Sequence, residues 1–334
     1  MINRRQFLRI VAVGGVAGVA GLALKSGWDA LTGLETTRET RLLMGTIVNL
    51  TAITPPGGQG RAAVEAAFAR MAALERVFSR HMPESDLSRL NAAGRLPSPS
   101  AEMLEVLAAA RQMSEWSAGA FDVTMLPLLN VYALAARDGT LPTAEQVDAA
   151  RALVDYRSVV VTADEVRLER PGMSLTLDAI AKGYIVDAGV RVLNAHGLPN
   201  TLVEAGGDLY AAGGPLDGAA WQLGVQAPRA GGPALAARLG VHNQAVATSG
   251  DYMQPFSPDL RHHHILDPRT GLSSPELASA TVVASRAHLA DALATTVMVL
   301  GRDLGLALAR RAGAEAVVIA KSGEIARSPG FPAA

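Results

Sequence analysis

Asp291 and Thr295, four residues apart in the run HLADALATTVMVLG, are the first pair in this sequence whose types and spacing suggest chemistry. On a helix, residues i and i+4 share one face about one turn apart. A carboxylate and a hydroxyl on one ridge are two hard oxygen donors, the kind Mg²⁺ takes while keeping water and substrate phosphates as its other ligands. The pair also has an ordinary reading, with Asp291 salt-bridged to an Arg and Thr295 bonded back to its own helix. A second candidate lies in TLDAIAKGY, residues 176–184. A helix predicted to start at Asp178 presents free N–H groups to an anion. Lys182 in its first turn opposes the helix dipole, which makes sense beside an anionic ligand. Its ordinary reading is a solvated lysine. Gly183 permits close approach of backbone or ligand.

The third candidate is RHHHILDPRTG, residues 261–271, which holds three of the seven histidines. The spacing predicts a strand over 262–266, so that His262 and His264 face one side and His263 the other. Three adjacent strand histidines cannot meet at one metal, and a zinc pair is the weaker alternative. One inward histidine acting as a general base suits the geometry better. A fourth feature, Gly206-Gly207 in VEAGGDLYAAGG, reads as a hairpin, a bulge or a ligand approach. It is not a dinucleotide fingerprint, because no G-x-G-x-x-G is present.

These residues need elements to position them. Apolar periodicity predicts helices over 61–79, 100–117, 143–151 and 178–197, with Asp178 as N-cap and Gly197 as stop. Residues 119–136 read as a helical segment broken at Pro127, and Ser285 as the cap of a helix over 286–300, with a last helix over 303–312. Strands are expected at 41–54, 157–162, 165–169, 173–177, 200–205, 207–213, 220–227, 235–241, 244–248, 262–266, 277–284, 315–320 and 323–327. Helices and strands are grouped rather than strictly alternating. That predicts an α+β fold of mixed and antiparallel strands with packed helices, in one domain over residues 40–327.

Composition narrows the function. The 334 residues are 49% hydrophobic and carry a net charge of −1. Residues 1–30 hold Arg4, Arg5, Arg9, Lys25 and Asp29, so the body is mildly acidic and no nucleic-acid partner is expected. The chain has no cysteine, which excludes disulfides, thiol catalysis and thiolate metal sites. The start, NRRQFLRIVAVGGVAGVAGLAL, joins Arg4-Arg5 and Phe7-Leu8 to a 15-residue apolar run with four glycines. A spanning helix needs roughly 20 apolar residues. The segment resembles a twin-arginine signal instead, implying export of a folded protein to the periplasm. No A-x-A cleavage site is evident, and an uncleaved N-terminus would tether the protein to the inner membrane.

Taken in order, MGT at 44–46, FSRHMPESDLSRLN at 78–91, GAFDVT at 119–124, LDAIAKGYIVD at 177–187, EAGGDLYAAG at 204–213, ATSGDY at 247–252, HHILDPRTG at 263–271 and ADALATTVMVLG at 290–301 resemble the ApbE family of FAD:protein FMN transferases. The resemblance spans about residues 40–325, and the twin-arginine start looks like its NosX branch. It implies an ApbE-like fold and a Mg²⁺-dependent reaction. A Thr or Ser hydroxyl of a target protein attacks the FMN phosphorus of FAD, AMP leaves, and FMN remains in a phosphodiester. It further implies that Asp291, Thr295 and the carbonyl of Ala179 hold the metal and that Lys182 steadies the phosphates. Met44, His81, Ala120, Phe121, Asp122 and Ile265 would line the FAD pocket, with Asp251 and Tyr252 shaping it, and His264 would deprotonate the acceptor. Two departures stand out. The family often has Asp where Thr176 stands, with the carboxylate here at Asp178, and an aromatic residue where His81 stands. NosR-, Rnf- or Nqr-type subunits are the implied acceptors. The same pocket would also serve a periplasmic FAD-binding assembly protein without transfer, or a Mg²⁺-dependent FAD pyrophosphatase.

Overall fold

The structure, a computed structural model, describes residues 34–57, 59–215, 219–229 and 234–333. The twin-arginine segment lies outside the described residues. The described residues open with a hairpin, β1 (Glu35–Leu43) and β2 (Thr46–Thr54), where one long strand over 41–54 is expected. The reason is local. Met44 and Gly45 both have positive φ, 55° and 68°, which makes a two-residue turn whose twist matches the strands.

Then come α1 (Gly60–Phe78), α2 (Asp86–Ala93), β3 (Arg95–Pro97), α3 (Ala101–Trp116), α4 (Leu126–Arg137), α5 (Ala144–Arg151), β4 (Val159–Val161), β5 (Glu165–Leu168) and α6 (Ala181–Ala195). The caps follow the sequence. Ser85 and Ser100 accept N–H bonds at the starts of α2 and α3, and Thr143 with Gln146 forms a capping box on α5. The remaining elements are β6 (Thr201–Ala205), β7 (Asp208–Ala212), β8 (Trp221–Gln226), β9 (Leu235–Val241), β10 (Gln244–Gly250), β11 (Leu277–Ala284), α7 (Ala287–Arg311), β12 (Glu315–Ala320) and β13 (Ile325–Arg327).

Eight strands form one sheet in the order β1-β2-β6-β7-β10-β11-β12-β13, and every described pairing is antiparallel. Strand alternation divides its faces. Val203, Ala245, Ala247 and Val282 point into a core shared with α1, α6 and α7. Leu202, Val246 and Val283 point the other way, into a second core covered by the β8–β9 ribbon. A third, smaller core joins α4 and α5 to Leu266 and Phe256.

Four expectations are corrected. Residues 173–177 alternate like a strand but pair with no strand. The Asn91 side chain stands in for one, donating to the Leu175 carbonyl at 2.8 Å and accepting its N–H at 2.7 Å. Residues 262–266 form no strand either, only isolated bridges from His263 to Pro255 and from Leu266 to Ser273. Asp178 is not the cap of α6, which starts at Ala181 with Ile180 as N-cap. The two helices predicted over 286–300 and 303–312 are the halves of α7, separated at Gly301 (φ 78°). Ser285 does not cap it. The carboxylate of Asp187, on α6, accepts from Ala287 N at 2.8 Å and His288 N at 3.2 Å. Helix α7 is long and apolar enough to cross a membrane, yet most of it is buried against the sheet and α6.

Candidate active site

Strand register brings the chemical residues to one end of the sheet. Val48 pairs with Ala205, Leu209 with Val246, Gly250 with Ser279 and Leu277 with Ala320. The β1–β2 turn, the Gly206-Gly207 turn, the end of β10 and the end of β12 therefore share that end. Gly206-Gly207 is a tight hairpin, and a Cβ on Gly206 would meet the Thr46 hydroxyl at 2.4 Å.

Helices α6 and α7 meet behind it. Gly183 N donates to Asp291 Oδ2 at 3.0 Å, and a Cβ on Gly183 would lie 2.3 Å from the Ala287 carbonyl oxygen. Asp291 is buried, and burial pushes its carboxyl above the usual range, with the Lys182 charge pulling the other way. The two basic side chains that bear on its charge already have partners. Lys182 bonds Asp208, a buried carboxylate at the start of β7, and His288 bonds Asp187 at 2.7 Å. A buried carboxylate without a cation of its own is costly. One turn on, the Thr295 hydroxyl bonds the Ser249 hydroxyl of β10 at 3.1 Å. Ala179 lies in the turn before α6. This carboxylate, hydroxyl and carbonyl set is all hard oxygen and fits Mg²⁺, with Asp291 supplying the uncompensated charge. Asp178 is exposed and accepts from Arg80 Nε at 2.7 Å, and its field reaches both Asp291 and His264.

The histidines have separate fates. His263 is fully buried, with Nε2 donating to the Ser274 carbonyl at 3.0 Å and Nδ1 accepting from Ile265 N at 3.3 Å. With both ring nitrogens in use, it is not free to ligate a metal. His264 is half-buried, its Nδ1 is enclosed, and among the described residues no protein atom bonds that nitrogen. Burial pushes both imidazoles down to about 4. Each is therefore neutral at pH 7, and His264 has a free lone pair for a proton.

The neutral burial of His263 has a consequence for stability. Its folded pKa lies below the unfolded value, so the unfolded chain takes the proton first. Stability falls as pH drops from 6.5 to about 4, by on the order of 3 kcal/mol for this residue. Urea unfolding at a series of pH values checks this. The His263→Gln protein should lose this contribution while His264 keeps its own, and an unchanged pH dependence would contradict the assignment.

The other expected site residues are held by different partners. Met44 donates its N–H to Glu75 Oε1 at 2.8 Å. His81 is exposed, its N–H donating to the Ser79 hydroxyl at 3.2 Å. Ala120 and Phe121 are buried in the main core, and Phe121 N donates to the Ser117 hydroxyl at 3.0 Å. Asp122 is buried and accepts from Thr124 N, Thr124 Oγ1 and Tyr156 N, so its oxygens are engaged in shaping the turn before α4. Thr176 donates its N–H to the Val123 carbonyl at 2.8 Å, and its hydroxyl accepts from Asp178 N at 3.3 Å. Ile265 is buried behind His264. Asp251 is fully buried, both oxygens on Arg229, and burial raises the neighbouring Tyr252 phenol. Sequence reasoning missed Asp208, Ser249, Asp187, Arg80 and Arg229. Asp208, Ser249, Asp187 and Arg80 all stand inside quoted motifs, and for Asp208 and Ser249 a polar residue at a strand end was the available signal; Arg229 stands in none of them.

Comparison with known proteins follows this geometry. A family model described as the ApbE family matches residues 44–318. A protein of Vibrio cholerae serotype O1 named FAD:protein FMN transferase is 31% identical over 84% of this chain and 86% of its own length. One of the same name from Treponema pallidum is 32% identical over 87% of this chain and 86% of its own. Among solved structures, the flavin transferase ApbE from Vibrio cholerae superposes with a TM-score of 0.79 at 28% identity, covering 88% of this chain and 97% of that one.

Proposed function

The chain belongs to the ApbE family, and from that premise we propose that it moves the FMN moiety of FAD to a Thr or Ser hydroxyl of an acceptor protein, releasing AMP. The observation that carries the reading is Asp291, a buried carboxylate with no salt-bridge partner among the described residues, one turn from a hydroxyl and beside the start of α6. Asp291, Thr295 and the Ala179 carbonyl would hold Mg²⁺, which when bound neutralises diphosphate charge and polarises the phosphorus under attack.

The chain's own residues do the rest. Lys182, held by Asp208, presents a fixed cation at the start of α6 for the phosphates. His264 takes the proton from the acceptor hydroxyl as its oxygen bonds to the FMN phosphorus. The anhydride P–O bond breaks, AMP departs as a phosphate anion, and the imidazolium returns its proton to solvent. His264 is neutral at working pH because burial has lowered its pKa, so it starts in the accepting form. Its enclosed, unbonded Nδ1 marks a place where substrate supplies the missing partner.

The twin-arginine start supports export to the periplasm and, if uncleaved, association with the inner membrane. Its NosX-like form favours a NosR-type acceptor, with Rnf and Nqr subunits as other candidates.

The test is incubation with FAD, Mg²⁺ and an acceptor domain, followed by mass measurement. An adduct of FMN on Thr or Ser supports transfer. Free FMN and AMP without adduct mean hydrolysis, and retained FAD without turnover means a binding module. His264→Ala should lower transfer by about 10²–10⁴-fold while still binding FAD; a wild-type rate in that protein removes His264 from the chemistry.

A further inference from the structure

Asp251 is a fully buried carboxylate at the end of β10, held by two cations from distant parts of the chain. Arg229, just past β8, grips it with both arms of its guanidinium, Nη1 to Oδ1 at 2.8 Å and Nη2 to Oδ2 at 2.7 Å. Lys321, just past β12, lies 3.8 Å from Oδ2 and donates to the Leu260 carbonyl at 3.1 Å. Asp251 is buried but Arg229 is exposed, and a pair with one solvent-facing partner contributes little net stability, so its use lies in fixing geometry. What it fixes here can be read along the chain. Two residues before Asp251, Ser249 bonds Thr295. After Asp251 runs the loop that returns through the Pro255–His263 bridge to His264, whose N–H donates to the Gln254 carbonyl at 3.1 Å. Any shift of Asp251 therefore moves the metal-side hydroxyl and the base together.

We propose that Arg229 is a positioning residue for the transfer reaction, acting through Asp251 to hold the His264 loop against the Asp291–Thr295 ridge. This rests on the transferase reading above. The ribbon that carries Arg229 covers the face of the sheet opposite the helices, so the clamp ties that layer to the site. Lysine cannot replace it, because a single ammonium does not engage both carboxylate oxygens in one fixed plane.

The test uses the full chain with FAD, Mg²⁺ and acceptor. Arg229→Ala should lower kcat about 10- to 100-fold, as for a displacement near 1 Å, with KM for FAD within about twofold. Arg229→Lys should recover only part of kcat, and it serves as the folded control. In an Asp251→Asn background, Arg229→Ala should add less than about twofold. Amide exchange across residues 253–266 should quicken in both Arg229 variants, whatever the turnover. An unchanged kcat, a raised KM with kcat kept, or a full effect persisting in Asp251→Asn would each overturn the proposal, the last two by showing direct contact with substrate. If wild type makes no adduct while exchange still quickens in the variants, the transferase reading fails and the clamp stands. If wild type transfers and exchange is unchanged, the clamp alone fails.

Discussion

Asp291→Asn should yield a folded protein that transfers FMN about 10³-fold more slowly, the several kcal/mol a Lewis-acid cation supplies. The amide keeps an oxygen to accept the Gly183 N–H, so the junction of α6 and α7 survives. Alanine would leave that N–H buried and unpaired at a cost of about 1–3 kcal/mol, confounding the result. The sign of the stability change is also set. Burial raises the Asp291 pKa in the fold, so the fold disfavours its charged form. Without metal, the Asp291→Asn protein should melt at or above the wild-type temperature, and the difference should shrink as pH falls into the carboxylate range. With Mg²⁺ and FAD, wild type should gain stability and the variant should not. Melting scans with EDTA and with Mg²⁺ plus FAD read both effects. A wild-type rate in the Asp291→Asn protein would take Asp291 out of the metal site.

Gly183→Ala tests the helix junction itself. Propensity alone favours alanine within a helix by about 1 kcal/mol. Here an ideal Cβ would stand 2.3 Å from the Ala287 oxygen, 2.5 Å from its carbonyl carbon and 2.6 Å from His288 Cα, all backbone. Backbone atoms at a helix start cannot swing aside, so α6 must move off α7 and the Gly183–Asp291 bond must lengthen. The expected net loss is about 3 kcal/mol or more, lowering Tm by roughly 6–12 °C, with weaker Mg²⁺ response. A Tm unchanged or raised in thermal denaturation would mean that the two helices are not in this contact.

Helices whose burial follows a 3.6-residue period were legible within a few residues. In α1, the buried Val64, Phe68, Met71, Leu74 and Phe78 are the positions expected from spacing. The pairing of Asp291 and Thr295 on one ridge was legible for the same reason. Strand prediction failed where alternation was satisfied by something other than a strand. Residues 173–177 alternate because Met173, Leu175 and Leu177 are buried, while Asn91 and Val123 supply their hydrogen bonds. The HHHIL run is apolar at Ile265 and Leu266 because Leu266 anchors the loop on the small α4–α5 core.

The sequence by itself determined the α+β class, the main amphipathic helices, the ordered motifs that resemble one family, and the residue types able to hold a cation and move a proton. These depend on local periodicity and on side-chain chemistry, both carried by neighbouring residues. Only the tertiary structure decided which histidine is spent on the loop and which has an open nitrogen, that Lys182 arrives paired with Asp208, that Asp187 caps a helix 100 residues away, and that Arg229 grips Asp251. Those outcomes depend on burial and on partners distant in the chain, and a hydrogen bond or ion pair between them exists only once strand register has brought both ends to the same edge of the sheet.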